Sequence, residues 1–150
     1  MHMKLMIRKM TDQDLEPLCV LLSDPDVMRY LEPPYSNEQT RKLLSIAMSD
    51  HPPVYAIDLN GCFIGYVIYH LYEKNSMEIG WVLLREHWGK GYASILTKQM
   101  ITEAGNQGKS LVIECDPAQK FASSCWAWKT EAIAYMCGNY GRNMMKNRRR

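Results

Sequence analysis

Apolar positions in this chain recur first with the period of a strand, then with that of a helix, then with that of a strand again. Lys4 to Met10 alternates loosely and reads as a first strand. Thr11 offers a helix N-cap, with Asp14 three residues on in the manner of a capping box. Leu15, Leu18, Cys19 and Leu22 follow at i, i+3, i+4 and i+7, one face of a helix. Pro17 is expected to cost that helix one internal hydrogen bond. Asp24-Pro25 restarts a short turn, and Glu32-Pro33-Pro34 forces extended backbone. Ser36 with Gln39 is a second capping-box candidate, opening a helix from Asn37 to about Ser49.

Beyond Pro52-Pro53 the period returns to two. Val54 to Leu59 reads as a strand, Asn60-Gly61 as a hairpin turn, and Phe63 to Tyr72 as the return strand. Glu73-Lys74-Asn75-Ser76 makes another turn into Met77 to Leu84. These three strands form an antiparallel meander. A helix follows, with Ala93, Leu96, Met100 and Ala104 inward, and it breaks at Gly105 to Gly108. Leu111 to Cys115 is a short buried strand, and Asp116-Pro117 starts another helix. The order is β-α-α-β-β-β-α-β-α, with no internal repeat, no linker and no second domain. The expected unit is a single domain over residues 1–150.

Where the strand ending at Leu84 hands over to the helix stands Arg85-Glu86-His87-Trp88-Gly89-Lys90-Gly91-Tyr92-Ala93. Glycines let the backbone turn sharply and let a ligand approach its N–H groups. The first N–H groups of a helix lack internal partners and, with the helix dipole, form a seat for phosphate. A tight turn with no ligand has the same glycines. Ser94 stands where a dinucleotide-binding loop would need its third glycine, and the longer loop of a nucleotide triphosphatase is absent.

Trp88-Gly89-Lys90-Gly91-Tyr92-Ala93 resembles the Gln/Arg-x-x-Gly-x-Gly/Ala pyrophosphate loop of the GNAT superfamily of acyl-CoA-dependent N-acyltransferases. Gly91 and Ala93 take the two small positions. Trp88 takes the first, as is common in the branch that resembles ribosomal-protein N-terminal acetyltransferases. The opening Ile7-Arg8-Lys9-Met10-Thr11 with Asp14-Leu15, the run Glu78-Ile79-Gly80-Trp81-Val82 and the segment Val112 to Pro117 extend the resemblance over residues 4–120. It implies an α/β (α+β) fold, a mixed and mostly antiparallel central sheet flanked by helices.

The resemblance also implies acetyl-CoA as acyl donor, lying where strands four and five splay apart. Trp81, Val82 and Leu83 would face its pantetheine arm, and the N–H groups of Gly89, Lys90, Gly91, Tyr92 and Ala93 would hold the pyrophosphate. Gln119 falls near the family's Asn/Gln contact to pantetheine. Lys90 or Arg85 is a candidate side-chain cation. The acceptor amine is mostly protonated at neutral pH, so a base must take its proton. Glu78 on strand four is the first candidate, against the alternative of an ion pair or a solvent-facing carboxylate. Glu114, at the end of strand five, is the second; His70, with Tyr69 near the end of strand three, is the third. Cys115 has no visible His partner to activate it as a nucleophile.

Composition narrows the setting. An apolar fraction of 47% over 150 residues suits one globular domain, and no apolar run approaches the ~20 residues of a membrane span. The five cysteines show no Cys-x-x-Cys pair and the four histidines are scattered, so neither a disulfide framework nor a metal site is expected. With no leader evident, this fits a reducing cytoplasm. Net charge is +2, but Arg142, Lys146, Arg148, Arg149 and Arg150 hold five of the 18 basic residues. The remaining 13 stand against 16 acidic residues, −3, which does not mark a nucleic-acid binder.

The family pattern fails after strand five. No Gly-Phe pair and no alternating strands follow Gln119, and Trp126 stands close to the position of the tyrosine that serves many members as acid. Residues 121–150 therefore read as a divergent or frame-shifted C-terminus. A partner subunit, making a homodimer, is one source of the missing edge strands. The main reading is an N-acetyltransferase acting on a small amine or a peptide N-terminus. The alternative is a catalytically impaired CoA-binding or protein-interaction module of the same fold.

Overall fold

The computed structural model describes residues 3–29 and 33–112. Its strands are β1 (Leu5–Arg8), β2 (Val54–Leu59), β3 (Cys62–Glu73), β4 (Ser76–Leu83) and β5 (Ser110–Val112), and its helices α1 (Leu15–Ser23), α2 (Pro25–Met28), α3 (Asn37–Ala47) and α4 (Tyr92–Asn106). The sheet order is β1-β2-β3-β4-β5. β1–β2 and β2–β3 pair antiparallel, and β4–β5 parallel. This is the expected mixed, mostly antiparallel sheet with helices. The chain divides into two compact units, Met1–Ile68 with Trp81–His87, and Tyr69–Gly80 with Trp88–Arg150.

In the first unit the Asn60-Gly61 turn forms as expected. Asn60 (φ 52°) and Gly61 (φ 85°) both take positive φ, which matches the twist of a two-residue hairpin. The Asn60 N–H donates to the Lys4 carbonyl at 2.8 Å, and the Lys4 N–H donates to Asn60 Oδ1 at 2.9 Å, so the turn also anchors the start of β1. β3 then carries one extra residue. Ile57 faces Gly65 while Asp58 faces Phe63, which leaves Ile64 as a bulge.

Gly65 follows at φ 156°. A side chain there would fall on the Val82 carbonyl oxygen and lie 2.9 Å from the Leu83 Cα. Only glycine lets β4 run this close. One residue further on, the Leu84 N–H donates to the Ile64 carbonyl at 2.9 Å.

α1 packs against α2 and α3. Leu18, Leu21 and Leu22 are fully buried, and Leu15 and Cys19 only half-buried, so the helix face is rotated toward Leu21 relative to the expected stripe. Pro17 costs no bond. The helix begins at Leu15, so Pro17 lies in the first turn, where N–H groups have no intrahelical partner. Ser36 and Gln39 form the expected capping box: the Gln39 N–H donates to Ser36 Oγ at 3.2 Å and the Ser36 N–H to Gln39 Oε1 at 2.8 Å. The helix stops two residues before the expected Ser49.

Arg8 at the end of β1 joins three elements. Its Nη1 and Nη2 each bond an Asp14 carboxylate oxygen at 2.8 Å, and its Nε bonds Asp58 Oδ2 of β2 at 2.7 Å. Asp14 also accepts the Thr11 N–H at 2.8 Å. Burial pushes the Asp14 carboxyl up, but the bonds from Arg8 and Thr11 and the Arg8 charge outweigh it and hold it below its usual range.

The second unit holds the Lys74-Asn75 turn, the first half of β4, β5 and α4. Ser110 at the head of β5 donates its N–H to the Asn75 carbonyl at 2.9 Å, and its hydroxyl meets Ser76 Oγ at 2.9 Å. α4 packs against β5. Ala93, Leu96, Met100 and Ala104 are all buried, as their spacing predicted, joined by Thr97 and Ile101. α4 runs past Gly105 to Asn106, and the turn follows at Gly108 with φ 67°.

Because the Asp14 carboxyl is held below its unfolded value, its stabilisation is complete above about pH 4 and is lost as pH falls toward the lower folded value. Asp14→Asn should cost about 2–3 kcal/mol at pH 7, the range for charge-assisted bonds to a buried partner. Urea unfolding at pH 7 and pH 3 measures it. The gap between parent and variant should narrow at pH 3, and a pH-independent gap would show that charge is not the cause.

Candidate functional site

The backbone between β4 and α4 is built for close approach. A short 3-10 turn, Arg85–His87, ends β4. Gly89 (φ 71°) and Gly91 (φ 84°) then both take left-handed conformations, which L residues with a Cβ adopt at a cost. Gly91 is the N-cap of α4 and contributes no side chain to cap it. Among the described residues, nothing lies within 4 Å of where its Cβ would be. The helix starts at Tyr92, and the Ile95 N–H reaches the Gly91 carbonyl at 3.3 Å. Lys90 is exposed, Trp88 and Tyr92 are half-buried, and Ala93 is buried.

In the same unit lie His70, near the end of β3, and Glu78, on β4. His70 Nε2 is 2.8 Å from Glu78 Oε2, with side-chain exposures of 35% and 15%. His70 Nδ1 lies 2.9 Å from the Leu71 carbonyl oxygen. A carbonyl only accepts, so Nδ1 carries the proton of that contact. The sequence offered these two residues as rival bases, and the structure makes them partners. The signal was available: His70 and Glu78 lie four and three residues from the Lys74-Asn75 turn, so a tight hairpin brings them together.

Period-two reasoning places Glu78 on one face with Gly80 and Val82. Burial follows that alternation from Ser76 to Gly80 and then slips. Trp81 is half-buried, while Val82 and Leu83 are both buried at 4% and 6%. The slip falls on the stretch of β4 that Gly65 admits. β4 pairs with β5 from Ser76–Ser110 to Glu78–Val112. Glu114, Cys115, Gln119 and Trp126 lie outside the described residues.

Arg85 was a candidate cation for a phosphate, but its guanidinium is committed elsewhere. Nε bonds Asp24 Oδ2 at 2.6 Å, and Nη1 bonds Asp26 Oδ2 at 3.0 Å. Asp24 also caps α2, accepting the Asp26 N–H at 2.9 Å. The hydrogen bond that Arg85 donates to Asp24, and the Asp24 charge, push the Arg85 guanidinium further toward its charged form. Sequence reasoning missed this tether, because 61 residues separate the partners. Among the described residues, no group of three His, Cys, Asp or Glu side chains is placed to hold a metal ion, and no helix is long and apolar enough to cross a membrane.

Comparison with known proteins agrees with this architecture. The family model described as acetyltransferase (GNAT) domain matches residues 4–124. The chain belongs to the GNAT acetyltransferase family. It is 28% identical to the uncharacterized N-acetyltransferase YnaD of Bacillus subtilis (strain 168), over 76% of this chain and 71% of that one. It is 30% identical to the uncharacterized protein YkkB of the same organism, over 78% and 75%. Among solved structures, a GNAT-family acetyltransferase from Bacillus anthracis shares its fold with a TM-score of 0.75 at 24% identity, covering 86% of this chain and 78% of that one. So does the aminoglycoside acetyltransferase AAC(6')-Ib in complex with coenzyme A, with a TM-score of 0.70 at 16% identity over 86% and 83%.

If the Arg85 guanidinium serves Asp24 and Asp26 rather than a phosphate, Arg85→Gln should leave acetyl-CoA affinity within about twofold, under 0.5 kcal/mol. Isothermal titration checks this. A tenfold loss would return Arg85 to the anion site.

Proposed function

We propose that this protein is an acetyl-CoA-dependent N-acetyltransferase that moves the acetyl group to a primary amine, on a small molecule or a peptide N-terminus. Transfer is by direct attack within a ternary complex. The observation that carries the reading is the pair of left-handed glycines heading α4, with open space over Gly91. Positive φ at two glycines heading a helix suits close approach of a diphosphate to the backbone, and family membership supports acetyl-CoA as the donor. The N–H groups of Gly89 to Ala93 are the proposed pyrophosphate seat, and Trp81, Val82 and Leu83 the proposed wall for the pantetheine arm.

In this reading Glu78 takes the amine proton. The nitrogen lone pair then attacks the thioester carbonyl, the C–N bond forms, the C–S bond breaks, and the CoA thiolate leaves and takes up the second proton that the acylated nitrogen sheds. The thiolate is a good leaving group, with a pKa near 8.5 by analogy with cysteine. A half-buried carboxylate meets the positional need for a base. Cys19 and Cys62, both free thiols, suit the cytoplasmic setting in which acetyl-CoA is made and used.

Gly91→Val should weaken acetyl-CoA binding at least tenfold, about 1.4 kcal/mol, since the new side chain occupies the open space and resists a φ of 84°. Calorimetric titration measures the affinity, and a thermal melt separates it from lost fold. Parent-like binding would mean that the diphosphate sits elsewhere.

Glu78→Gln should lower turnover by roughly 10²–10⁴-fold, the range for loss of a general base, with acetyl-CoA affinity nearly unchanged. The deficit should shrink as pH rises toward the amine's own pKa, where free amine is abundant. Thiol release followed from pH 7 to pH 10 reads this out. An equal deficit at both ends would mark Glu78 as an anchor or an ion-pair partner instead.

A further inference from the structure

We propose that Gly65 is a positioning residue for the acyl donor. By leaving room for the Val82 carbonyl it fixes the main chain of Val82 and Leu83 where the pantetheine arm of acetyl-CoA meets it. The inference rests on the reading of that stretch of β4 as the wall for the arm. Val82 and Leu83 bury their side chains. What they offer a ligand is therefore main chain, whose N–H and C=O groups are strong hydrogen-bonding partners. A contact of that kind depends on where the strand lies.

Gly65 decides where it lies. Ile64, Gly65, Val82, Leu83 and Arg85 all belong to the first compact unit. An alanine Cβ at position 65 would land on the Val82 carbonyl oxygen, 2.9 Å from the Leu83 Cα and 3.0 Å from the Val82 carbonyl carbon. Carbon atoms in contact stand about 3.5–4.0 Å apart, so the strand would have to retreat by roughly 0.5–1 Å. The retreat has little room to spread. The Leu84 N–H is held by the Ile64 carbonyl at 2.9 Å, and the Leu84 carbonyl accepts the His87 N–H at 2.9 Å. Arg85 is fixed to Asp24 at 2.6 Å and to Asp26 at 3.0 Å. The displacement therefore concentrates on Val82 and Leu83. Hydrogen bonds weaken steeply as they lengthen and bend. Gly65 also follows directly on the Ile64 bulge, a kind of irregularity that bends a strand and is over-represented next to active sites.

The test divides acetyl-CoA into its parts. The full chain is titrated calorimetrically with acetyl-CoA and with adenosine 3'-phosphate 5'-diphosphate, the nucleotide half that keeps the diphosphate and lacks the arm. The parent, Gly65→Ala and Gly91→Val are compared. Gly65→Ala should weaken acetyl-CoA binding at least tenfold and leave the nucleotide half within about twofold. Gly91→Val should weaken both. A merely loosened fold would weaken both ligands together in Gly65→Ala, and that outcome overturns the proposal. So does a Gly65→Ala that binds acetyl-CoA like the parent.

A measurement on the parent alone keeps the failures apart. In ¹⁵N-labelled protein the Val82 and Leu83 amide signals should move with acetyl-CoA and not with the nucleotide half. Signals indifferent to acetyl-CoA would remove the wall reading and the proposal with it. Signals that move, beside a parent-like Gly65→Ala, remove the proposal alone. If Gly65→Ala does not fold, the Hα signals decide. One Gly65 Hα stands in the direction of the missing Cβ, so it should give a nuclear Overhauser contact to the Leu83 Hα before acetyl-CoA is added and keep it afterwards. Its absence before addition would mean that the ligand places the strand end, and overturns the proposal.

Discussion

The missing side chain at Gly65 lets the end of β4 lie where it does. A methyl group there would occupy the position of the Val82 carbonyl oxygen and crowd the Leu83 Cα. Protein interiors deform little at such contacts, so any larger residue would push that stretch of strand away. The neighbouring bulge at Ile64 is part of the same arrangement. It changes the register against β2 by one residue just before the close approach, and the Ile64 carbonyl then receives the Leu84 N–H. The burial slip at Val82 and Leu83 follows from the same strand end.

Charge is used twice in the first unit, with different effects. Arg8 is bound by two carboxylates, both of them buried, and these contacts join β1, the turn before α1, and β2. Loss of one partner would leave the others poorly satisfied, which is costly in a shielded place. Arg85 is bound by Asp24 and Asp26 at an exposed position. Exposed ion pairs contribute little stability. Its consequence is positional: the turn after β4 is tied to the cap of α2.

The second unit holds the proposed diphosphate loop and the proposed base. The left-handed glycines at the head of α4 form one element, and the His70–Glu78 contact forms another. In the proposed reaction the first handles negative charge on the donor and the second removes positive charge from the acceptor. The first rests on a backbone constraint, positive φ at two glycines.

Local patterning alone made much of this fold readable. The Asn60-Gly61 hairpin, the Ser36–Gln39 capping box and the buried face of α4 depend on neighbours within a few residues, and their signals are short-range. The Gly89-Lys90-Gly91 loop was legible for the same reason. Arg85–Asp24, Arg8–Asp58 and the approach of Gly65 to Val82 were not, because each joins residues 17 to 61 positions apart and depends on which strands become neighbours. His70 and Glu78 stand between these cases. The sequence named both and even supplied the turn between them, but residue type cannot say whether two polar side chains on adjacent strands meet. That was decided by the tertiary structure, where the hairpin geometry and the Leu71 carbonyl bring one ring nitrogen to one carboxylate oxygen.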